Sequence, residues 1–298
     1  RSISSINIII MNYKQKSRSE WLDEYHEGVR YGLQGKLILE ESSPFQKITI
    51  YESKRYGKAL LLDDCWMTAE KSEKCYHECL IHPALCCSTQ IENILIIGGG
   101  DGGSARECLK YKEVKSIDLV EIDLRVIELS QKYLPTIGGD AWSDSRLNIQ
   151  IKNGIDWVKH TQENSYDVII IDGADPIGPS RELFSNSFLE DCKRILKQGG
   201  VLATQSESPE SFQKIHINIV KVLREIFDYA DPMYGSVSIY PSGLWSWTFA
   251  SMEQQKYMHP KKSRVKEISE NCQIWSTRWQ QGAFNSIPAF IERELAKK

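Results

Sequence analysis

Between Asn93 and Phe227, apolar strand-like runs alternate five times with helix-like segments, and no other feature narrows the fold of this chain so far. The runs are "NILIIGGG", "SIDLVEID", "LNIQIKNG", "YDVIIIDG" and "GGVLATQSES". Helical spacing follows each of them, over Ser104–Tyr111, Leu124–Tyr133, Ile155–His160, Ser187–Lys197 and Ser211–Phe227. Strands this apolar are buried on both faces, which predicts a mostly parallel sheet with helices on either side. Right-handed crossovers make such a sheet a doubly wound α/β fold.

The preceding segment has another rhythm. From about Gly35 to Met67, "KLILEES", "QKITIYES" and "KALLLDD" are separated by turn signals at Ser43-Pro44 and Tyr56-Gly57, which predicts a small antiparallel β domain. "SEKCYHECLIHPALCC" then predicts a helix with a buried stripe of Cys75, Cys79, Leu80, Ala84 and Leu85. "GSVSIYPSGLWSWTFASM" predicts a hairpin turned at Pro241-Ser242-Gly243. The expected division is a partly disordered N-terminal extension over 1–20, a β-strand domain over 21–72 and a catalytic α/β domain over 73–298, with the native start at Met11.

A formal net charge of -3 gives no basic face for nucleic acid or an anionic membrane. No apolar run reaches spanning length. The eight cysteines form no CxxC pair and no zinc spacing, so a reduced, cytoplasmic protein without a metal site is expected.

Ligands of a doubly wound sheet bind at the carboxyl ends of its strands. Four of the five strand exits carry an acid: Asp101, Glu121, Asp172 with Asp175, and Glu207. "GGGDGG" fits G-x-G-x-x-G through Gly98, Gly100 and Gly103, and Glu121 stands where an acid holds a ribose diol. A nucleoside ligand follows. A pyrophosphate over this loop would face Asp101, which is electrostatically poor. A cationic sulfonium nucleoside turns the same acid into an asset. Asp101 is equally placed to cap the next helix through the N–H of Gly103 or Ser104. Asp172 and Asp175, three apart in a Gly/Pro-rich loop, point to a cationic second ligand.

The motifs "SPFQKI", "YHECLIHPAL", "GGGDGG", "VEID", "DGADPIGP" and "YPSG", in this order from about Trp21 to Met252, resemble the polyamine aminopropyltransferases, the family of spermidine synthase. The resemblance implies a Rossmann-like, methyltransferase-type sheet. It also implies transfer of the aminopropyl group of decarboxylated S-adenosylmethionine to an amine, with putrescine first and agmatine, cadaverine or spermidine as other acceptors. It places Gln46, Gly98, Asp101, Glu121, Asn153, Gly154 and Pro179 at the nucleoside. Tyr76, His77, Asp101, Asp172, Asp175, Gln205, Tyr240 and, as an outer wall, Trp21 fall at the polyamine. Asp172 would be the catalytic proton acceptor. No cofactor or metal is implied, since the sulfonium nucleoside is a co-substrate, and a homodimer or homotetramer is expected.

The chain departs from the family pattern at Met67 for glutamine, Asp64 for glycine, Asn153 for aspartate, and Gly173-Ala174 inside the acidic loop. "IHPAL" and "ADP" resemble thermospermine synthases, whereas "YPSGLWSWTFAS" resembles bacterial spermidine synthases, so the acceptor stays open. Trp245 and Trp247, inside a strand, read as core, and His82 as structural. An NAD-binding oxidoreductase, a methyltransferase using intact S-adenosylmethionine and a non-catalytic polyamine binder are the rival readings. Asp101 argues against the first two and Asp172 against the third.

Overall fold

A computed structural model of the chain describes residues 20–26, 28–174 and 178–297, with the side chains of 178 and 179 excepted. The chain opens with five antiparallel strands in sequential order, β1 (Glu20–His26), β2 (Val29–Ser42), β3 (Lys47–Ser53), β4 (Gly57–Leu62) and β5 (Cys65–Ala69). Helix α1 (Lys74–Cys87) leads into the alternating part. There follow β6 (Asn93–Gly98), α2 (Gly103–Leu109), β7 (Ser116–Glu121), α3 (Leu124–Tyr133), α4 (Pro135–Gly138), β8 (Leu147–Ile151) and α5 (Gly154–His160). Then come β9 (Tyr166–Asp172), α6 (Asn186–Ile195), β10 (Leu196–Gln205), α7 (Gln213–Ile226), β11 (Tyr229–Ser236) and β12 (Leu244–Ser251). Helices α8 (Lys262–Ile268), α9 (Thr277–Phe284) and α10 (Ala289–Leu295) end the chain.

The larger sheet has seven strands in the order β11-β12-β10-β9-β6-β7-β8. Its five central and outer strands from β10 to β8 run parallel, and the β11–β12 hairpin is antiparallel, so the doubly wound expectation holds. From β6 the chain winds outward to β8, then returns to β9 and winds the other way. The order therefore reverses between β6 and β9, where a doubly wound sheet leaves a crevice.

Two local expectations are corrected. The hairpin's first strand is Tyr229–Ser236, and Val237–Gly243 form the connection, closed by Tyr240 N–H to Val237 O (3.1 Å) and Gly243 N–H to Tyr240 O (3.0 Å). Helix α1 does not bury one stripe: Tyr76 to Cys86 are buried on every face. The reason lies past Met252, in a region whose helices had no sequence assignment. There the Glu78 carboxylate accepts the backbone N–H groups of Ile274 and Trp275, both at 2.8 Å, and so draws the C-terminal segment over the face of α1 away from the sheet. All eight cysteines are free thiols. Among the described residues no helix is long and apolar enough to cross a membrane.

Candidate active site

The crevice is built by a backbone clasp. Gly98 pairs in register with Asp172, and the Gly99 N–H donates to the Asp172 carbonyl at 2.9 Å. Gly98 has φ +82°, and a Cβ there would run into that carbonyl. Glycine is required for both reasons. The loop then turns at Gly102 (φ +80°) into α2. Asp101 Oδ1 accepts the Gly103 N–H at 2.8 Å, so the capping reading holds for one oxygen. The other oxygen, Oδ2, lies 3.3 Å from His77 Nε2, so the carboxylate also belongs to the site.

The first turn of α1 supplies Tyr76 and His77. The Tyr76 hydroxyl donates to Asp172 Oδ1 at 2.9 Å, and the Ser104 hydroxyl donates to Oδ2 at 2.6 Å. Each Asp172 oxygen thus has one fixed donor, which sets the carboxylate's orientation. Ser104 was not foreseen, because a serine at a helix start carries no signal beyond capping.

On the far side of the glycine loop from His77, Glu121 ends β7 and its Oε1 accepts the Asp123 N–H at 3.0 Å. Gln46 reaches across from the β2–β3 turn, its Nε2 donating to Asp123 Oδ2 at 3.0 Å. Asn153 caps α5, with Oδ1 accepting the Ile155 N–H at 2.8 Å. An aspartate would cap equally well, so this departure leaves the helix start unchanged. A Cβ on Gly154 would meet Ile97 Cγ2 at 2.6 Å.

Gln46, Gly98, Asp101, Glu121, Asn153, Gly154, Asp172, Tyr76, His77 and Tyr240 all line one cavity of about 290 Å³, close to the lower end for small-molecule sites. A side chamber of about 20 Å³, room for a single water-sized group, opens beyond it. Met67, Tyr76, Gly173 and Tyr240 border both spaces, beside Asp172. Gln205, Glu24, Trp66 and Trp245 line only the smaller one. The Tyr240 hydroxyl donates to the Met67 carbonyl at 2.6 Å, which closes the wall between them. Trp245 and Trp247 are both buried, as core placement required, but Trp245 also faces the side chamber.

Trp21 is not in either wall and is 60% exposed. Alternation along β1 explains the correction: Glu24 falls on the opposite face from Trp21 and is the residue turned inward, its Oε2 accepting the Trp66 N–H at 3.0 Å. The signal for Glu24 was available in "EWLDEYH", as the acid on the same face as Leu22. Asp175 lies outside the described residues. So does the side chain of Pro179, whose backbone joins the 3-10 turn Gly178–Phe184.

The electrostatics divide the acids by task. Burial pushes the Asp172 carboxyl above its ordinary value, and the charge on His77 opposes that push while Asp101 adds to it. Burial would also raise Asp101, but the charge and hydrogen bond of His77 and the Gly103 N–H hold it below its ordinary value. Burial would lower His77, but Asp101 and Glu73, facing its two nitrogens, hold it well above its ordinary value. Burial lifts Glu121 to about 7. His77, Asp101 and Asp172 each place a donor atom within 4.8 Å of the others.

Over residues 73–261 the sequence matches the family model described as the spermine/spermidine synthase domain, and over 20–70 the spermidine synthase tetramerisation domain. The chain belongs to the spermine/spermidine synthase family. It is thereby an aminopropyltransferase by reaction class. A polyamine aminopropyltransferase of Prochlorococcus marinus strain NATL2A is 97% identical over 97% of this chain and 100% of its own length. Another, from strain MIT 9313, is 59% identical over 96% of this chain and 100% of its own. A crystal structure of spermidine synthase in complex with the transition-state analogue AdoDATO superposes with a TM-score of 0.89 at 33% identity, covering 94% of this chain and 96% of that one. Spermidine synthase from Thermotoga maritima superposes with a TM-score of 0.88 at 32% identity, over the same shares.

Proposed function

We propose that this aminopropyltransferase makes spermidine, by moving the aminopropyl group of decarboxylated S-adenosylmethionine onto putrescine and releasing methylthioadenosine. The observation that carries the reading is the meeting of the two spaces beside Asp172, one large enough for a nucleoside and one narrow and ending in acid. Gln46, Glu121 and Asn153, with Gly98 and Gly154 allowing close approach, hold the nucleoside, and Pro179 belongs to the loop over it. Asp101 and His77 receive the aminopropyl end. Asp172, Asp175, Tyr76, Gln205 and Tyr240 receive the acceptor amine, and Glu24 takes over the wall position expected of Trp21.

Alkylammonium groups have pKa values near 10.4, so at neutral pH only about one in a few thousand is free amine. Asp172 binds the ammonium and takes one of its protons, while Tyr76 orients the nitrogen. The nitrogen lone pair then forms a bond to the methylene on sulfur. The carbon–sulfur bond breaks with its electron pair going to sulfur, which leaves as a neutral thioether. Neither a cofactor nor a leaving-group acid is needed for this balance. Burial of the site and the alignment of two cations by several acids supply the remaining acceleration.

The small chamber has room for one terminal ammonium of a short diamine, beside the buried acid Glu24, while the other amine stands at Asp172. Product analysis of decarboxylated S-adenosylmethionine with putrescine, agmatine, cadaverine and spermidine tests this. Spermidine should dominate, and faster consumption of any other amine would replace putrescine as the acceptor. A homodimer or homotetramer, working in the cytoplasm, completes the proposal. The exposed Trp21, Tyr25, Val29 and Leu37 of β1 and β2, together with the tetramerisation-domain match, support the assembly.

Glu121 gives a pH test. Its carboxyl titrates at about 7 in the free site. Ribose hydroxyls donate to the ionised form, so nucleoside binding holds above that pH and is lost as pH falls through it. Calorimetry should show the methylthioadenosine Kd rising by up to about tenfold per pH unit below the transition. A Kd unchanged between about pH 8 and about pH 5.5 would remove Glu121 from the ribose.

A further inference from the structure

Glu73 lines neither space, yet it is buried directly behind the site. Its Oε2 accepts from His77 Nδ1 at 2.8 Å and from Arg106 Nη2 at 2.8 Å, and its Oε1 accepts from Arg106 Nη1 at 2.9 Å. Arg106 thus fixes Glu73, and Glu73 fixes the imidazole ring from the side away from the substrates. His77 also meets Tyr76 on its own helix (5.2 Å between ring centroids), Asp101 from the β6–α2 loop and Asp172 from the end of β9.

We propose that Glu73 is a positioning residue for aminopropyl transfer: it turns His77 Nε2–H to Asp101 and keeps a positive charge beside Asp101 and Asp172, so that both carboxylates stand ionised before the amine arrives. The proposal rests on Asp172 as the proton acceptor. Two buried carboxylates this close would otherwise tend to share a proton, as paired acids do. A protonated Asp172 can accept nothing. The imidazolium prevents the sharing, but burial opposes its charge, and one carboxylate partner already committed to a substrate cation is a weak guarantee. The second carboxylate, out of the substrates' reach, keeps His77 charged whether or not the site is occupied. His216 shows the contrast: it is buried on a backbone carbonyl and a tyrosine hydroxyl, with no acid, and burial pushes it down to about 4.

The test is the pH dependence of transfer. Glu73→Gln keeps the shape and an acceptor for Nδ1–H but removes the charge. The acid limb of kcat/KM should move up by about one pH unit, because Asp172 then holds its proton to higher pH. Glu73→Asp keeps the charge and should return the limb to the wild-type position, even at a lower rate. In a His77→Gln background, Glu73→Gln should add no further shift, since the effect passes through the ring. A limb that stays in place in Glu73→Gln, with Tm lowered equally by the Gln and Asp variants, would reduce Glu73 to a structural role and overturn the proposal.

If Glu73→Gln does not fold, nitrogen NMR of the wild-type protein decides. His77 should be doubly protonated near neutral pH, with His216 as the neutral control, and a neutral His77 overturns the proposal. Wild-type enzyme in the same assay separates the two levels. Failure to aminopropylate any amine would overturn the functional reading and this proposal with it, whereas normal transfer with an unmoved limb overturns only the role of Glu73.

Discussion

Asp172→Asn should lower kcat for aminopropyl transfer by about 10³-fold, within the usual contribution of a positioned general base. Methylthioadenosine should bind nearly as before. The separation follows from how the residue is held. Its backbone carbonyl, which takes the Gly99 N–H, is untouched by the substitution. The asparagine oxygen can still accept from Tyr76, and its NH₂ can donate to the Ser104 hydroxyl, which today donates to Oδ2. The nucleoside contacts assigned to Gln46, Glu121 and Asn153 lie on other elements, the β2–β3 turn, the end of β7 and the cap of α5. What disappears is the capacity to accept a proton. Single-turnover rates with calorimetric Kd values check this, and transfer at wild-type rate would place the proton acceptor elsewhere.

Asp101→Asn should cost about 10- to 100-fold in preference for decarboxylated S-adenosylmethionine over the intact, carboxylate-bearing nucleoside, the worth of one charge-assisted hydrogen bond. The loop should survive, because the Asn oxygen can take the Gly103 N–H in place of Oδ1. The new NH₂ would face His77 Nε2, which can accept its hydrogen bond only when the ring is neutral. The substitution therefore removes the cation's partner and loosens the charge on His77 at once. Competition between the two nucleosides for the variant measures the effect. An unchanged ratio would mean that the carboxylate does not discriminate between them.

The sequence made some of this legible and hid the rest for physical reasons. Gly98, Asp101, Glu121 and Asp172 could be read because a parallel sheet delivers every strand exit to one edge, so position in sequence becomes position in space. Tyr76 and His77 depended on the family resemblance, since nothing in the periodicity of α1 singles them out from a helix buried all round. Ser104 and Glu73 serve the site through other side chains and leave no local pattern, although the i, i+4 spacing of Glu73 and His77 was there to see. Trp21 shows the cost of reading a residue type without its face. Three residues, an odd step along β1, put an exposed indole and the acid that lines the chamber on opposite faces. The C-terminal helices escaped because their packing is long-range: α9 lies against β11 and α10 against α7, while the buried acid Glu78 of α1 holds the segment between α8 and α9.

The clasp between Gly99 and Asp172 makes the glycine loop and the end of β9 a single part. Neither can be shifted without shifting the other, so the chemistry has little freedom to vary. Tyr76 and Gly173 join the side chamber to that part, but most of its other walls come from β1, β5, the end of β10 and the β11–β12 connection. If that chamber takes the acceptor, as proposed, substitution at those other walls can reshape or recharge its berth while the reacting atoms keep their places. A scaffold divided in this way can change the polyamine it makes through successive small steps in one half, each passing through an enzyme that still works.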